Sequence, residues 1–142
     1  MTPTVLEKIA LAISGLTALT IGGFITTAPQ AFYAGYGIAL GPDASLLSEL
    51  RAPGAGLAAF GLLMLLGLWR RTLLPVSAVV ALTVFVAFPA GRLVGLALDG
   101  LPSGSVIAAL GFEVAVAALL LAAFRHRLWG SSASVPDAHP AQ

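Results

Sequence analysis

The sequence predicts an all-α protein, a bundle of four transmembrane helices with both termini cytoplasmic. Three observations predict it. Of 142 residues, 58% are hydrophobic and only 9% charged. A water-soluble domain carries about 25% charged residues, so a water-facing surface could not be covered here. Four stretches each supply the roughly 20 apolar residues that a helix needs to cross the hydrocarbon core of a bilayer. Finally, the basic residues collect on one side of the bundle that those stretches would make.

The elements follow in order. The first span runs from about Val5 to Thr27, with no charge between Ile9 and Ala28. Its apolar run is long and Glu7 sits where a basic leader would be, so it reads as a span and not as a cleaved signal peptide. The stretch "APQAFYAGYGIALGPDAS" follows. It is too short and too rich in glycine to be a domain, and its aromatic residues suggest a re-entrant or interfacial segment lying at the membrane surface. Asp43 or Ser45 is placed to cap the second span, from about Ser45 to Trp69. The third runs from about Leu73 to Leu98. A tight turn, "DGLPSGS", leads into the fourth, from about Ser105 to Phe124. Alanine, glycine and leucine dominate all four, and no stretch alternates as a barrel strand would. Residues 1–129 therefore form the membrane domain, and 130–142, "GSSASVPDAHPAQ", a polar tail that reads as disordered.

Four spans put the N-terminus, the connection between the second and third, and the C-terminus on one side. That side carries Lys8, Arg70, Arg71, Arg125 and Arg127; the other has only Arg51 and Arg92. Basic loops stay in the cytoplasm. Trp69 and Trp129 fit the inner aromatic belt, Tyr33 and Tyr36 the outer one. Small residues at four-residue spacing, Gly54/Ala58, Gly91/Gly95 and Gly104/Ala108, read as packing positions within the bundle.

Several function classes drop out. A net charge of +1 makes no field for nucleic acid. No cysteine is present, so there is no disulfide framework, zinc site or thiol nucleophile. No HExxH metal motif or phosphate-binding glycine loop occurs, and "GRLVG" follows no strand. His126 lies between Arg125 and Arg127 and reads as an interfacial residue; Ser48 has no histidine partner.

What remains is charge at depth. Glu49, Arg51, Arg92 and Glu113 lie in the outward halves of the second, third and fourth spans, with Asp43 and Asp99 at the boundary. A charge near the bilayer centre costs at least about 2.5 kcal/mol, so these groups should face one another. At about 1.5 Å per residue, Arg92 lies roughly 10 Å in from Asp99, and Glu113 roughly 12–15 Å in from the start of its helix. Side chains tilt toward their own N-terminus, so Arg92 and Glu113 converge from adjacent antiparallel helices. The expectation is one buried network of Glu49, Arg51, Arg92, Asp99 and Glu113. Pro53 and Pro89 free the carbonyls of Glu49 and Phe85, for which the two arginines offer donors. Phe32, Tyr33 and Tyr36 should form a lid over it.

With these residues in hand, the chain resembles a bacterial four-helix membrane family that carries no assigned function. "FYAGYG", "SELRAPGAG", "GRLVGLALDGLPSG" and "GFEVA" carry the resemblance in order and spacing, over Val5 to Phe124. The family's second helix has an acid followed by Arg-Ala, matched by Glu49, Arg51 and Ala52. The resemblance implies four helices and a bacterial inner membrane, and no activity.

Four readings of the charges stand side by side. They fix helix register; or they hold the polar head of a lipophile, such as a quinone or isoprenoid, in a binding protein or accessory subunit; or Glu113 serves as acid and base in an isomerase or epoxide-opening enzyme; or they carry protons in a transporter, which would need a homo-oligomer. The first stands ahead of any single function; among the functions the second leads, with the bilayer, a membrane-protein partner or a second copy as company.

Overall fold

The computed structural model describes residues 3–129; the tail expected over 130–142 lies outside them. The order is α1 (Val5–Thr27), a short α2 (Pro29–Ala34), α3 (Ala44–Trp69), a 3-10 turn (Arg71–Leu73), α4 (Leu74–Asp99) and α5 (Gly104–Trp129). Among the described residues there is no strand. The four long helices are long and apolar enough to cross a membrane, and the chain is a multi-pass membrane protein. Its outer surface agrees: Leu16, Phe60, Leu62, Val79, Val94 and Leu121 are all exposed, as residues facing lipid tails should be.

Helix limits have local causes. α1 begins with a capping box. The Thr4 hydroxyl accepts from the Glu7 backbone N–H at 3.2 Å, and the Glu7 carboxylate accepts from the Thr4 N–H at 2.7 Å. Two of the donors left over at the start of the helix are thereby satisfied. Asp43, not Ser45, caps α3, accepting from Leu46 N–H at 2.7 Å. α5 runs five residues beyond the expected Phe124. The expectation stops where the arginines begin, but a helix carries basic residues easily toward its C-terminus, where the dipole favours cations, and His126 and Arg127 stand in the last turn.

The helices pack as a ring in the order α1, α3, α4, α5, with α1 closing onto α5. The most extensive contact is between α1 and α3, and glycine explains it. A Cβ on Gly22 would strike the Ala58 nitrogen and lie 2.5 Å from the Gly54 carbonyl oxygen; one on Gly61 would strike the Leu19 nitrogen and lie 2.7 Å from the Gly15 oxygen. The two helices therefore touch backbone to backbone along an antiparallel seam, which lipid alone would not drive. Gly54/Ala58 belongs to this seam. The other two small-residue pairs do not pack the bundle. Gly91 and Gly104 have no neighbour within 4 Å of a would-be Cβ, and Gly95 meets only Asp99 of its own helix. At the α3–α4 turn, Ser77 fits against Gly67 and donates to the Leu63 carbonyl at 2.7 Å.

Packing is uneven along the bundle. Toward the end that carries the chain termini, one core gathers Ala10, Leu11, Met64, Leu120, Ala123 and Phe124. Toward the opposite, loop-bearing end, α5 has no buried residue before Glu113, and α4 has none after Pro89.

Candidate functional site

The loosened end encloses a cavity. Its volume is about 620 Å³, and it lies between α1, α4 and α5 with α2 and the following loop above it. Ala18, Ile21 and Ile25 come from α1, Val84, Phe85 and Phe88 from α4, and Ala108, Ala109 and Phe112 from α5. Several of these, including Ala108 and Phe112, are exposed, so the cavity is open on the α5 side.

Arg92 and Glu113 stand in its wall. Arg92 Nε donates to both carboxylate oxygens of Glu113, at 2.9 and 3.1 Å. The side chains retain 29% and 12% of their exposure, so the pair faces the cavity without being sealed off. Remaining polar wall groups are hydroxyls, those of Thr17, Tyr33, Tyr36 and Ser105. A smaller cavity of about 320 Å³ lies beyond Arg92, between the ends of α4 and α5, and reaches exposed Asp99.

Phe32, Tyr33 and Tyr36 are half-buried and line the same cavity. Pro29 at the start of α2 fixes the turn out of α1. Phe32 is the hub of the aromatic cluster, with ring centroids 5.6 Å from Phe24 and 5.2 Å from both Tyr33 and Tyr36. Gly37, at φ 76°, reverses the chain after the cluster, a conformation that glycine adopts without strain. The segment is tied across the bundle: Ser103 Oγ donates to the Tyr36 carbonyl at 3.0 Å.

The expected five-residue network is not formed. Glu49 and Arg51 are exposed, and neither joins Arg92 and Glu113. Residues two apart on a helix point about 200° apart, so Glu49 and Arg51 cannot both face one partner. Arg51 Nε instead donates to the Thr26 carbonyl at 3.0 Å. It thereby caps the carbonyl end of α1, where orphan acceptors and the helix dipole both favour a cation. Neither arginine Nε turns to a proline-freed carbonyl. Asp99 is exposed and makes no ion pair among the described residues.

A second ion pair was missed by sequence reasoning. Glu7, 2% exposed, receives Arg127 side-on: Nε bonds Oε1, and Nη2 bonds Oε2 at 3.0 Å. It lies at the terminal end and locks α1 to α5. The signal available was "TVLE", whose Thr4 and Glu7 have capping-box spacing and so fix where the carboxylate sits. No group of three metal-ligating side chains occurs among the described residues.

No curated protein and no solved structure matches the chain. A family model does, the domain of unknown function DUF4345, over residues 6–124. That match takes in α3 and α4 whole, all but the first residue of α1 and the last five of α5, the aromatic segment and the Arg92–Glu113 pair, and the chain belongs to the DUF4345 family.

Proposed function

We propose that this protein binds a lipophilic molecule in the α1–α4–α5 cavity, as a binding protein or accessory subunit of the membrane. The observation that carries the reading is the coincidence of three things at one place: an apolar cavity of about 620 Å³, one ion pair in its wall, and an aromatic segment above it. Ligand sites are largely apolar with a few placed polar groups, and commonly measure about 300–1,000 Å³. A purely structural ion pair has no need of an open cavity beside it. Glu7–Arg127, in the closed end of the same molecule, lines neither cavity described above. Phe32, Tyr33 and Tyr36 act as the lid, and Arg92 with Glu113 receives the polar head.

Lys8, Arg70, Arg71, Arg125 and Arg127 lie at the terminal end, which supports a cytoplasmic location for both termini. The cavity end then faces outward. The family resemblance supports a bacterial cytoplasmic membrane.

Mass spectrometry of the protein purified in mild detergent tests the reading. A stoichiometric lipophile that is lost when Ala109→Phe fills the cavity is the expected result. A lipophile retained by that folded variant removes the cavity from the proposal. A co-purifying protein without any lipophile would leave a subunit role alone.

A further inference from the structure

The smaller cavity adjoins the larger one. Arg92 and Val106 line both, so the two meet at the Arg92–Glu113 pair. The floor of the smaller cavity is half-buried, formed by Arg92, Gly95, Leu96, Val106 and Leu110. Its rim, Asp99 to Pro102 with Ile107, is exposed. Gly95 keeps the space between floor and rim clear: a Cβ there would meet only the Asp99 carboxylate, at 3.8 Å. Arg92 and Asp99 are seven residues apart on one helix, so the cavity runs about 10 Å inward along α4.

The two cavities open to different solvents. The larger opens sideways, among residues that face lipid. The rim of the smaller one is the connection between α4 and α5. Among the described residues, the N–H groups of Leu101 and Ser103 donate to no backbone carbonyl, and irregular backbone of this kind is not left in hydrocarbon. The connection therefore lies at the membrane surface, and the smaller cavity opens to water. The ion pair has need of that opening. Arg92 and Glu113 both keep part of their exposure, at a depth where a charge is tolerated only if it is paired or faces a water-filled space. Acyl chains at the sideways opening cannot hydrate the pair; water entering past Gly95 can.

Charge selects what else enters. Arg92 and Glu113 cancel each other, which leaves the Asp99 carboxylate at the rim, in no ion pair among the described residues. A cleft whose mouth carries one sign of charge concentrates solutes of the other.

We infer that the smaller cavity is an aqueous mouth of the binding site, which admits water and small cationic or neutral solutes, ahead of anions, to the Arg92–Glu113 pair. The site then has two entrances, an apolar one for the body of the lipophile and a polar one for a water-borne molecule that meets its head. That meeting rests on the larger cavity being a binding site; the mouth itself does not.

A chain without cysteine makes the mouth measurable. Val106→Cys is placed in bilayer nanodiscs, where lipid covers the sideways opening. It is treated with two membrane-impermeant methanethiosulfonates, one carrying a trimethylammonium group and one a sulfonate. Each rate is divided by that of the same reagent on Ala39→Cys, an exposed position. The expected result is that both reagents modify Val106→Cys, the cation roughly tenfold faster after this correction. Adding Asp99→Asn should remove most of that preference. Adding Gly95→Phe should slow both reagents by the same factor or more. Gly91→Phe, at a glycine outside both cavities with nothing within 4 Å, should leave both rates unchanged. A Val106→Cys thiol that reacts with neither reagent overturns the mouth. Reaction undiminished by Gly95→Phe overturns the route past Gly95. Equal corrected rates, or a preference that survives Asp99→Asn, overturn the charge selection. Mass spectrometry of the same preparation keeps this apart from the binding reading: an unreactive thiol in protein that holds its lipophile removes the mouth alone.

Discussion

Arg127 clasps Glu7 side-on across 120 residues of sequence, joining the last helical turns of α5 to the first turn of α1. Glu7 also closes the capping box of α1. One carboxylate thus serves an intrahelical and an interhelical role, and it is nearly fully buried. Removing one member of a buried pair costs about 3–5 kcal/mol, because the survivor is left uncompensated. Arg127→Ala should lie in that range. Glu7→Gln should cost less, since an amide oxygen can still accept from Thr4. Unfolding in mixed micelles by added denaturing detergent measures both.

Arg92→Ala and Glu113→Ala should each destabilise by less than Arg127→Ala does. The outer pair retains more exposure than the inner one, 12% against 3% for the two carboxylates, and burial sets the penalty. The double variant should cost less than the two single costs summed, because residues in contact couple. The same unfolding measurement checks the order and the coupling. Additive costs would mean that the pair contributes nothing as a pair.

The glycine seam gives a sharp contrast between neighbours. Gly22→Ala puts a methyl group into the backbone of α3, while Gly23→Ala meets nothing within 4 Å. Overpacking commonly costs about 1–3 kcal/mol, and a rigid backbone cannot move aside as a side chain can. Gly22→Ala should reach or exceed that range. Gly23→Ala should be neutral or stabilising by up to about 1 kcal/mol, the helix preference for alanine. Thermal denaturation of the two variants side by side decides it.

Ser103→Ala removes the hydrogen bond that ties the Tyr36 carbonyl to the far side of the cavity. One such bond contributes about 0.5–1.5 kcal/mol, too little to unfold the bundle. Its loss should show locally. Hydrogen exchange should quicken over residues 29–38 and stay unchanged across the α1–α3 seam. Unchanged exchange over 29–38 would mean that the aromatic cluster holds the segment by itself.

Absence of cysteine from the sequence makes orientation simple to check. A membrane-impermeant maleimide should label Ala39→Cys in intact cells, and should label Ala138→Cys only after lysis. The reverse pattern would turn the cavity toward the cytoplasm.

The sequence made the four spans legible because burial in lipid leaves a one-dimensional trace, about 20 apolar residues bounded by charge. Arg92 facing Glu113 was legible for a related reason: depth and side-chain tilt are both set by position along a helix. What depth does not give is azimuth. Glu49 and Arg51 sit at the right level, but α3 turns them away from the pair, and the free carbonyl of Thr26 draws Arg51 to α1. Nor did sequence show that α1 would lie closest to α3. Gly15 and Gly22, like Gly54 and Gly61, are spaced by seven, so four-residue spacing does not reveal the repeat. Glu7 and Arg127 failed for distance. Each had a sufficient local reading, Glu7 as an acid that argues against a cleaved leader and Arg127 as a cytoplasmic anchor, and nothing in one stretch pointed to the other.

The uneven packing of α5 has a consequence for supply. Its half nearest the termini is knitted into the core, while its other half leaves the cavity open sideways. In the binding role proposed above, a compound dissolved among the acyl chains of the adjoining leaflet would reach Arg92 by two-dimensional diffusion without crossing water. The same compound in the opposite leaflet meets the closed half of the bundle and must flip before it can enter. Occupancy would therefore follow the concentration in a single monolayer. Two membranes of equal total content but different transverse asymmetry would load this protein to different extents.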